Sequence, residues 1–149
     1  MRIWDLVRRS AVGIRPDQTL VEAASIMDKA GVGALVVVDA DRPVGIVTDR
    51  DLVRRGLARS LPIDARVDAV MTTPLVTVDA DDDAHEVYQV LRTHALRRLP
   101  LVRDGRFVGM ITVDDLLIHL AADLSDLARP ITGEVLFAQR DSSPPATVA

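Results

Sequence analysis

The chain has 149 residues, 48% of them hydrophobic, and a formal charge of −4. That is enough for one ordinary domain or two small halves sharing a core, and the acidic balance argues against general affinity for nucleic acid, whose binding rests on neutralising phosphates. The absence of cysteine excludes disulfides and thiolate chemistry. No apolar run approaches the ~20 residues that span a bilayer, and the first residues lack the apolar stretch of a signal peptide. The expectation is a cytoplasmic protein with no membrane or nucleic-acid partner.

In chain order, residues 3–9 are a lead-in containing the only tryptophan, Trp4, whose simplest use is to cover an apolar edge. A short extended piece is expected at 12–14. Thr19 and Glu22 then have the spacing of a capping box, and Leu20, Ala23, Ala24 and Met27 recur at helical spacing as a core stripe. Gly31 and Gly33 stop that helix. Residues 34–38 form a continuous β-branched run typical of a strand buried on both faces; residues 40–43 turn the chain, 44–48 return as a strand, and a helix is expected from 49 to about 58.

The order then repeats. A strand is expected at 75–78, a capping box at Asp83 and Glu86, and a helix with Ala84, Val87, Val90 and Leu91 inward. Strands at 99–102 and 107–112 flank Asp104-Gly105, a strong hairpin signal, and a helix should run from 113 to about 122. Residues 123–129 prolong or append a helix that Pro130 ends; residues 133–139 are expected as an extended docking arm, and residues 142–146 as disordered.

A constant offset of 64 underlies this recurrence. Val12 falls on Val76, Asp17 on Asp81, Leu35 on Leu99, Gly45 on Gly109, Thr48 on Thr112 and Asp51 on Asp115, with no gap between residues 3 and 54 of the first copy. A unit of this size buries too little surface to stand comfortably alone, so the halves should pack on each other. The best-matched stretch, Gly-h-x-Thr-x-x-Asp, runs from a strand into a helix. There it would place unpaired backbone N–H groups and the positive end of the helix dipole together, a spot favourable to an anion. Thr48 would then offer its hydroxyl to a phosphate and Asp51 would accept from vicinal hydroxyls, as a ribose phosphate requires. The same Thr-x-x-Asp spacing also serves a helix that merely caps itself; spacing does not choose between the two.

The repeated unit, the stretches 45–51 and 109–115, and the linker Val67-Asp68-Ala69-Val70-Met71-Thr72 resemble a CBS-domain pair, named after cystathionine β-synthase, over residues 3 to about 122. The resemblance implies an α/β fold of the α+β type: two tandem β-α-β-β-α repeats packed as a pseudo-twofold pair. It implies a first repeat with its lead-in over 1–66, a second over 67–128, and a C-terminal arm and tail over 129–149. It also implies a regulatory module that binds AMP, ADP, ATP or S-adenosylmethionine between the repeats, without a cofactor of its own, and that pairs into a homodimer. Carried over, Thr48 and Thr112 would lie near phosphate and Asp51 and Asp115 at the ribose. Val12, Gly13, Val76 and Thr77, with Leu35 and Leu99 on the inner strands, would border the adenine.

The two sites differ in charge. Asp49-Arg50 stands in one motif and Val113-Asp114 in the other, while Arg97-Arg98 replaces Gly33-Ala34; Arg50 and Arg98 are therefore candidate phosphate contacts. Arg8-Arg9 and Arg54-Arg55 read as solvated faces. Parts for catalysis are missing: there is no nucleophile motif and no Gly-rich loop followed by lysine. His85, His94 and His119 lack metal-ligand spacing. The expectation is therefore a non-enzymatic sensor reporting to a separate regulated protein, with a ligand-free interaction scaffold as the alternative.

Overall fold

The computed structural model describes residues 1–141. Residues Met1–Val113 form one body holding two three-stranded sheets, and the helix that follows is a second. The first sheet comprises β1 (Gly13–Ile14), β2 (Ala34–Asp39) and β3 (Arg42–Thr48); the second comprises β4 (Val78–Asp79), β5 (Arg98–Arg103) and β6 (Arg106–Thr112). In each, the two-residue strand pairs in parallel with the middle strand, which pairs antiparallel with the third. The offset of 64 survives in the register: Ile14 faces Val37 and Val78 faces Leu101, while Leu35 faces Val47 and Leu99 faces Ile111.

The short strands start later than expected, so Val12, Val76 and Thr77 precede them. Val12 still offers its carbonyl to the Val36 N–H at 3.1 Å. Two residues suffice because Pro16, which has no N–H, closes the run in the first copy.

Helix α1 (Leu20–Ala30) opens with the expected box: the Thr19 N–H donates to Glu22 Oε2 at 2.7 Å and the Glu22 N–H to Thr19 Oγ1 at 3.2 Å. Gly31 ends it in the left-handed region at φ 65°. Ala24 is exposed and Ile26 half-buried, so the inward stripe is Leu20, Ala23 and Met27. In the second copy, α3 (Ala84–Thr93) has a cap but no box. Asp83 accepts from the His85 N–H at 2.9 Å, and its other oxygen takes the N-terminal ammonium at 3.0 Å in place of a Glu86 partner. Ala95 stands where Gly31 stands in the first copy and adopts φ 51°.

Both hairpins turn on two left-handed residues, Ala40-Asp41 and Asp104-Gly105, the backbone that matches strand twist. Val36, Val37, Leu35, Leu99 and Leu101 are wholly buried, as expected for middle strands covered on both faces.

The lead-ins dock reciprocally. Residues 1–4 attach to the second repeat: the Ile3 N–H donates to the Asp82 carbonyl, Trp4 to Ala80 and Ala84 to Met1. Residues 65–68 attach to the first by the equivalent bonds, Val67 to Gln18, Asp68 to Pro16 and Leu20 to Ala65. Ile3 and Val67, one from each segment, are wholly buried, and each contributes roughly 1.5–3 kcal/mol by leaving water. Val67 and Val70 thus belong to the core of the repeat that precedes them. The repeats therefore complete one another, and the sheets also meet where the Phe107 N–H donates to the Asp41 carbonyl at 2.8 Å.

Helix α4 (Val113–Asp141) corrects two expectations. It continues through Pro130, and residues 133–139 are helical rather than an extended arm. Proline's φ suits a helix and its ring removes one N–H bond; Glu134, Leu136, Ala138 and Gln139 beyond it are good helix formers. The expected disordered tail at 142–146 lies outside the described residues.

Candidate functional site

Strand β3 delivers Thr48 to the start of α2 (Asp49–Asp51), and this junction is a closed capping box. The Thr48 N–H donates to Asp51 Oδ2 at 3.0 Å and the Asp51 N–H to Thr48 Oγ1 at 3.1 Å. The other early N–H groups are occupied too: Asp49 donates to the Gly33 carbonyl at 3.0 Å and Arg50 to Asp49 Oδ1 at 2.8 Å. The anion cradle expected from unpaired backbone donors is therefore not free. The chain satisfies these groups itself, because an orphan N–H at a partly buried helix start is costly.

What remains for a ligand is side-chain capacity. Thr48 accepts through its oxygen and keeps its hydroxyl proton as a donor; a carboxylate has about four acceptor positions, of which Asp51 uses one on Thr48. The other oxygen, Oδ1, lies 3.7 Å from Arg55 Nε, and the Asp51 side chain is 13% exposed. Arg55 also donates to the Val70 and Met71 carbonyls at 3.3 and 3.2 Å, tying the helix to the inter-repeat segment.

The regular helix expected over 49–58 is not found. One α-turn passes into a π-helical turn over Leu52–Gly56 and a 3-10 turn over Leu57–Arg59. Gly56 permits this because its backbone lies close to Leu20: a Cβ there would sit 3.2 Å from Leu20 Cδ1. Wide turns of this kind are frequent at functional sites. Here it carries Arg50, Arg54, Arg55 and Arg59 onto one groove of about 460 Å³ together with Asp51. Arg54 and Arg55 read as solvated from the sequence, and Arg59 carries no signal there; the i, i+4 spacing of Arg54 from Arg50, of Arg55 from Asp51 and of Arg59 from Arg55 is what brings them to one groove.

Gly45 and Gly109 mark close approaches. A Cβ on Gly45 would lie 2.6 Å from Met71 Sδ and 3.1 Å from the Thr72 carbonyl, whereas one on Gly109 would meet Trp4 Cζ3 at 3.0 Å. Ile46 and Thr72 exchange backbone hydrogen bonds at 2.7 and 3.3 Å. On β6 the corresponding strip borders a groove of about 320 Å³ lined by Trp4, Arg8, Arg9 and Val108 among others. Trp4 covers this edge as expected, with the Arg103 guanidinium 5.4 Å from its ring centre.

The remaining candidates divide. Gly13 lines a third groove, of about 700 Å³, with Arg15, Asp17 and Arg66, apart from the Arg50 and Asp51 groove. The Arg66 guanidinium is held above its ordinary range by its hydrogen bond and charge contact with Asp68. Leu35 and Leu99 are wholly buried, so their side chains wall the core and not an open cleft. Val76 and Thr77 are half-buried before β4. Arg98 is half-buried on β5 opposite Thr112, as Ala34 is opposite Thr48. Asp115, in the first turn of α4, is the buried charged residue among those described. No helix among the described residues is long and apolar enough to cross a membrane.

Comparison with known proteins accords with this arrangement. The chain is 43% identical over 97 residues to YlbB of Bacillus subtilis, covering 64% of this chain and 66% of that protein. It is 34% identical over 118 residues to hypoxic response protein 1 of Mycobacterium tuberculosis, covering 78% and 82%. It spans 60% of the length of a further relative from Methanopyrus kandleri. A CBS domain protein from Pyrobaculum aerophilum, solved in complex with AMP, superposes with a TM-score of 0.69 at 29% identity, over 82% of this chain and 99% of that one. The family model for the CBS domain matches twice, at residues 3–58 and 67–122, and the chain belongs to the CBS-domain family as a tandem pair.

Proposed function

We propose that the chain is a regulatory binding module that takes an adenosine-containing ligand, AMP, ADP, ATP or S-adenosylmethionine, and reports its presence to a separate protein in the cytoplasm, without catalysis of its own. The carrying observation is Asp51: a carboxylate held by a capping box and Arg55, with acceptor positions left over, on the wall of an arginine-lined groove. Asp51 accepts from the ribose hydroxyls, and Thr48 donates its hydroxyl to phosphate. By their place in the second repeat, Thr112 and Asp115 take the same roles, with Arg98, across the strand from Thr112, as the phosphate contact that Arg50 supplies in the first. The backbone around Val12, Gly13, Val76 and Thr77 borders the base, and the buried Leu35 and Leu99 support it from beneath. The AMP complex of the Pyrobaculum aerophilum relative supports this ligand class.

Titration calorimetry with the four ligands tests the assignment. A saturable heat that Asp51→Ala weakens by about ten- to hundredfold, the scale of ~1.5–3 kcal/mol for a hydrogen bond to a charged group, is the expected result. Equal affinity in the variant removes Asp51 from the ribose. One observation favours a second reading, a ligand-free scaffold: Thr48 and Asp51 are already satisfied by each other. Absence of heat with all four ligands at millimolar concentration selects that reading.

The regulated species is a homodimer in this proposal. Leu117, Leu120, Leu124, Leu127 and Ile131 on α4 are exposed and alternate at three and four residues, the seam spacing of a two-stranded coiled coil. The stripe runs about 21 Å along the helix, which suits a second copy of the same helix. Sedimentation equilibrium should show a dimer that Leu124→Glu with Leu127→Glu converts to a monomer; a wild-type monomer at high micromolar concentration rejects pairing.

A further inference from the structure

The arginine groove has more positive charge than a nucleoside monophosphate needs. Arg50, Arg54, Arg55 and Arg59 share it with one carboxylate, Asp51, and that carboxylate already faces Arg55. Among the described residues, the guanidinium groups of Arg50, Arg54 and Arg59 take part in no ion pair or hydrogen bond. Three unpaired cations thus line one cavity of about 460 Å³ in a chain whose net charge is −4.

Helix electrostatics accounts for part of this. Cations near a helix C-terminus are stabilised by its dipole, which suits Arg59 and its neighbours. Arg50 lies in the first turn, where that dipole disfavours a cation, and Arg50 and Arg54, four apart, repel each other. Their convergence is explained by an anion long enough to touch several guanidinium groups at once. Arginine's planar fork suits phosphate oxygens, and a chain of phosphates supplies such oxygens in series.

We infer that this groove is a polyphosphate subsite, which takes the di- or triphosphate chain of a nucleotide whose ribose is held by Asp51. The inference rests on the adenosine reading of Asp51 for the identity of the whole ligand; the subsite stands on the arginines alone. Arg55, tied to the Val70 and Met71 carbonyls, fixes the back wall, and Arg50, Arg54 and Arg59 contact the anion.

Calorimetry with sodium tripolyphosphate, AMP and ATP on the full chain, on Asp51→Ala and on Arg54→Gln with Arg59→Gln tests this, with circular dichroism as the control for folding. Tripolyphosphate should bind the wild type, weaken on raising the salt as exposed charge pairs do, lose at least tenfold in the arginine variant and recover with lysine at both positions. ATP should bind at least tenfold tighter than AMP, and the arginine variant should narrow that gap by losing more affinity for ATP than for AMP. AMP binding without tripolyphosphate binding overturns the subsite and leaves the adenosine reading intact. Tripolyphosphate binding without any adenosine ligand leaves the subsite and overturns the adenosine reading. Displacement of tripolyphosphate by equimolar single-stranded oligonucleotide, with no preference for ATP over AMP, overturns the assignment to a small nucleotide.

Discussion

The segments after β3 and β6 begin alike and end differently. Thr48-Asp49-Arg50-Asp51 and Thr112-Val113-Asp114-Asp115 occupy the same place, and the N–H groups of Asp49 and Val113 bond equivalent carbonyls, Gly33 and Arg97, at 3.0 and 2.9 Å. Yet the first helix widens and stops at Arg59, while the second runs 29 residues. The breakers differ: Gly56 and Pro62 stand in the first copy where Leu120 and Asp126 stand in the second. A start signal says where a helix begins, and the residues two to four turns later decide how far it goes. The short helix gathers arginines around a groove; the long one carries exposed apolar residues from Leu117 to Ile131.

The lead-ins differ in the same instructive way. Thr72 is hydrogen-bonded to β3 with Gly45 beneath it, whereas Gly109 on β6 is covered by a side chain, Trp4. Replacing each glycine by alanine should separate closure that includes backbone from closure by a side chain alone. Gly45→Ala must displace Met71 and the Thr72 backbone and is expected to cost about 2–3 kcal/mol, against about 1 kcal/mol for Gly109→Ala, where the Trp4 ring can yield. Urea unfolding of both variants measures the difference, and equal losses would erase the contrast.

Thr48→Ala is expected to cost about 1 kcal/mol by opening the capping box, read as a lower denaturant midpoint with unchanged slope. Because Thr19 caps α1 by the same chemistry, Thr19→Ala should cost about as much. A much larger loss at Thr48 would mean that the short helix depends on its cap more than α1 does.

Ala95 and Gly31 occupy equivalent left-handed positions. Ala95→Gly should stabilise the chain by about 0.5–1 kcal/mol, and Gly31→Ala should destabilise it by about 1 kcal/mol, because only glycine adopts that region without steric cost. Thermal midpoints moving in opposite directions would bear this out.

The smallest effect is expected at Asp83. The His85 N–H and the N-terminal ammonium hold its carboxyl below the usual value of 3.8. A carboxyl lowered in the folded state adds stability above its unfolded pKa and loses it as pH falls through the folded one. Asp83→Asn keeps a competent cap but loses the ion pair, so it should lower the thermal midpoint slightly at pH 7 and should not at pH 2. Thr19, the neutral equivalent in the first repeat, should show no such pH dependence when changed to Ser.

Much of the fold was legible before the structure. The repeat, the middle strands, both hairpins and the Thr19 box rest on contacts within a few residues or on strict periodicity, and a local pattern records these directly. The same locality explains the misses. Ala24 fits the helical spacing, but which side of a stripe meets the sheet depends on the neighbour. Asp83 fits a box until the N-terminus, 82 residues away, takes its second oxygen. At the candidate site, Thr48 and Asp51 were legible as a pair, while Arg54 and Arg59 were not, since on a regular helix they are ordinary solvated cations.

By itself the sequence determined that there are two like halves, what each is built from, and where the β3 and β6 junctions fall, because hydrophobic period and turn chemistry act over short distances. Only the tertiary structure decided that each lead-in completes the other repeat, that Gly45 is closed by Met71 together with the Thr72 backbone and Gly109 by the Trp4 ring, and that four arginines and Asp51 share one groove. The lead-in and glycine contacts join residues distant in the chain. The groove depends on a widened turn that Gly56 allows against Leu20, 36 residues away, and no local pattern encodes that approach.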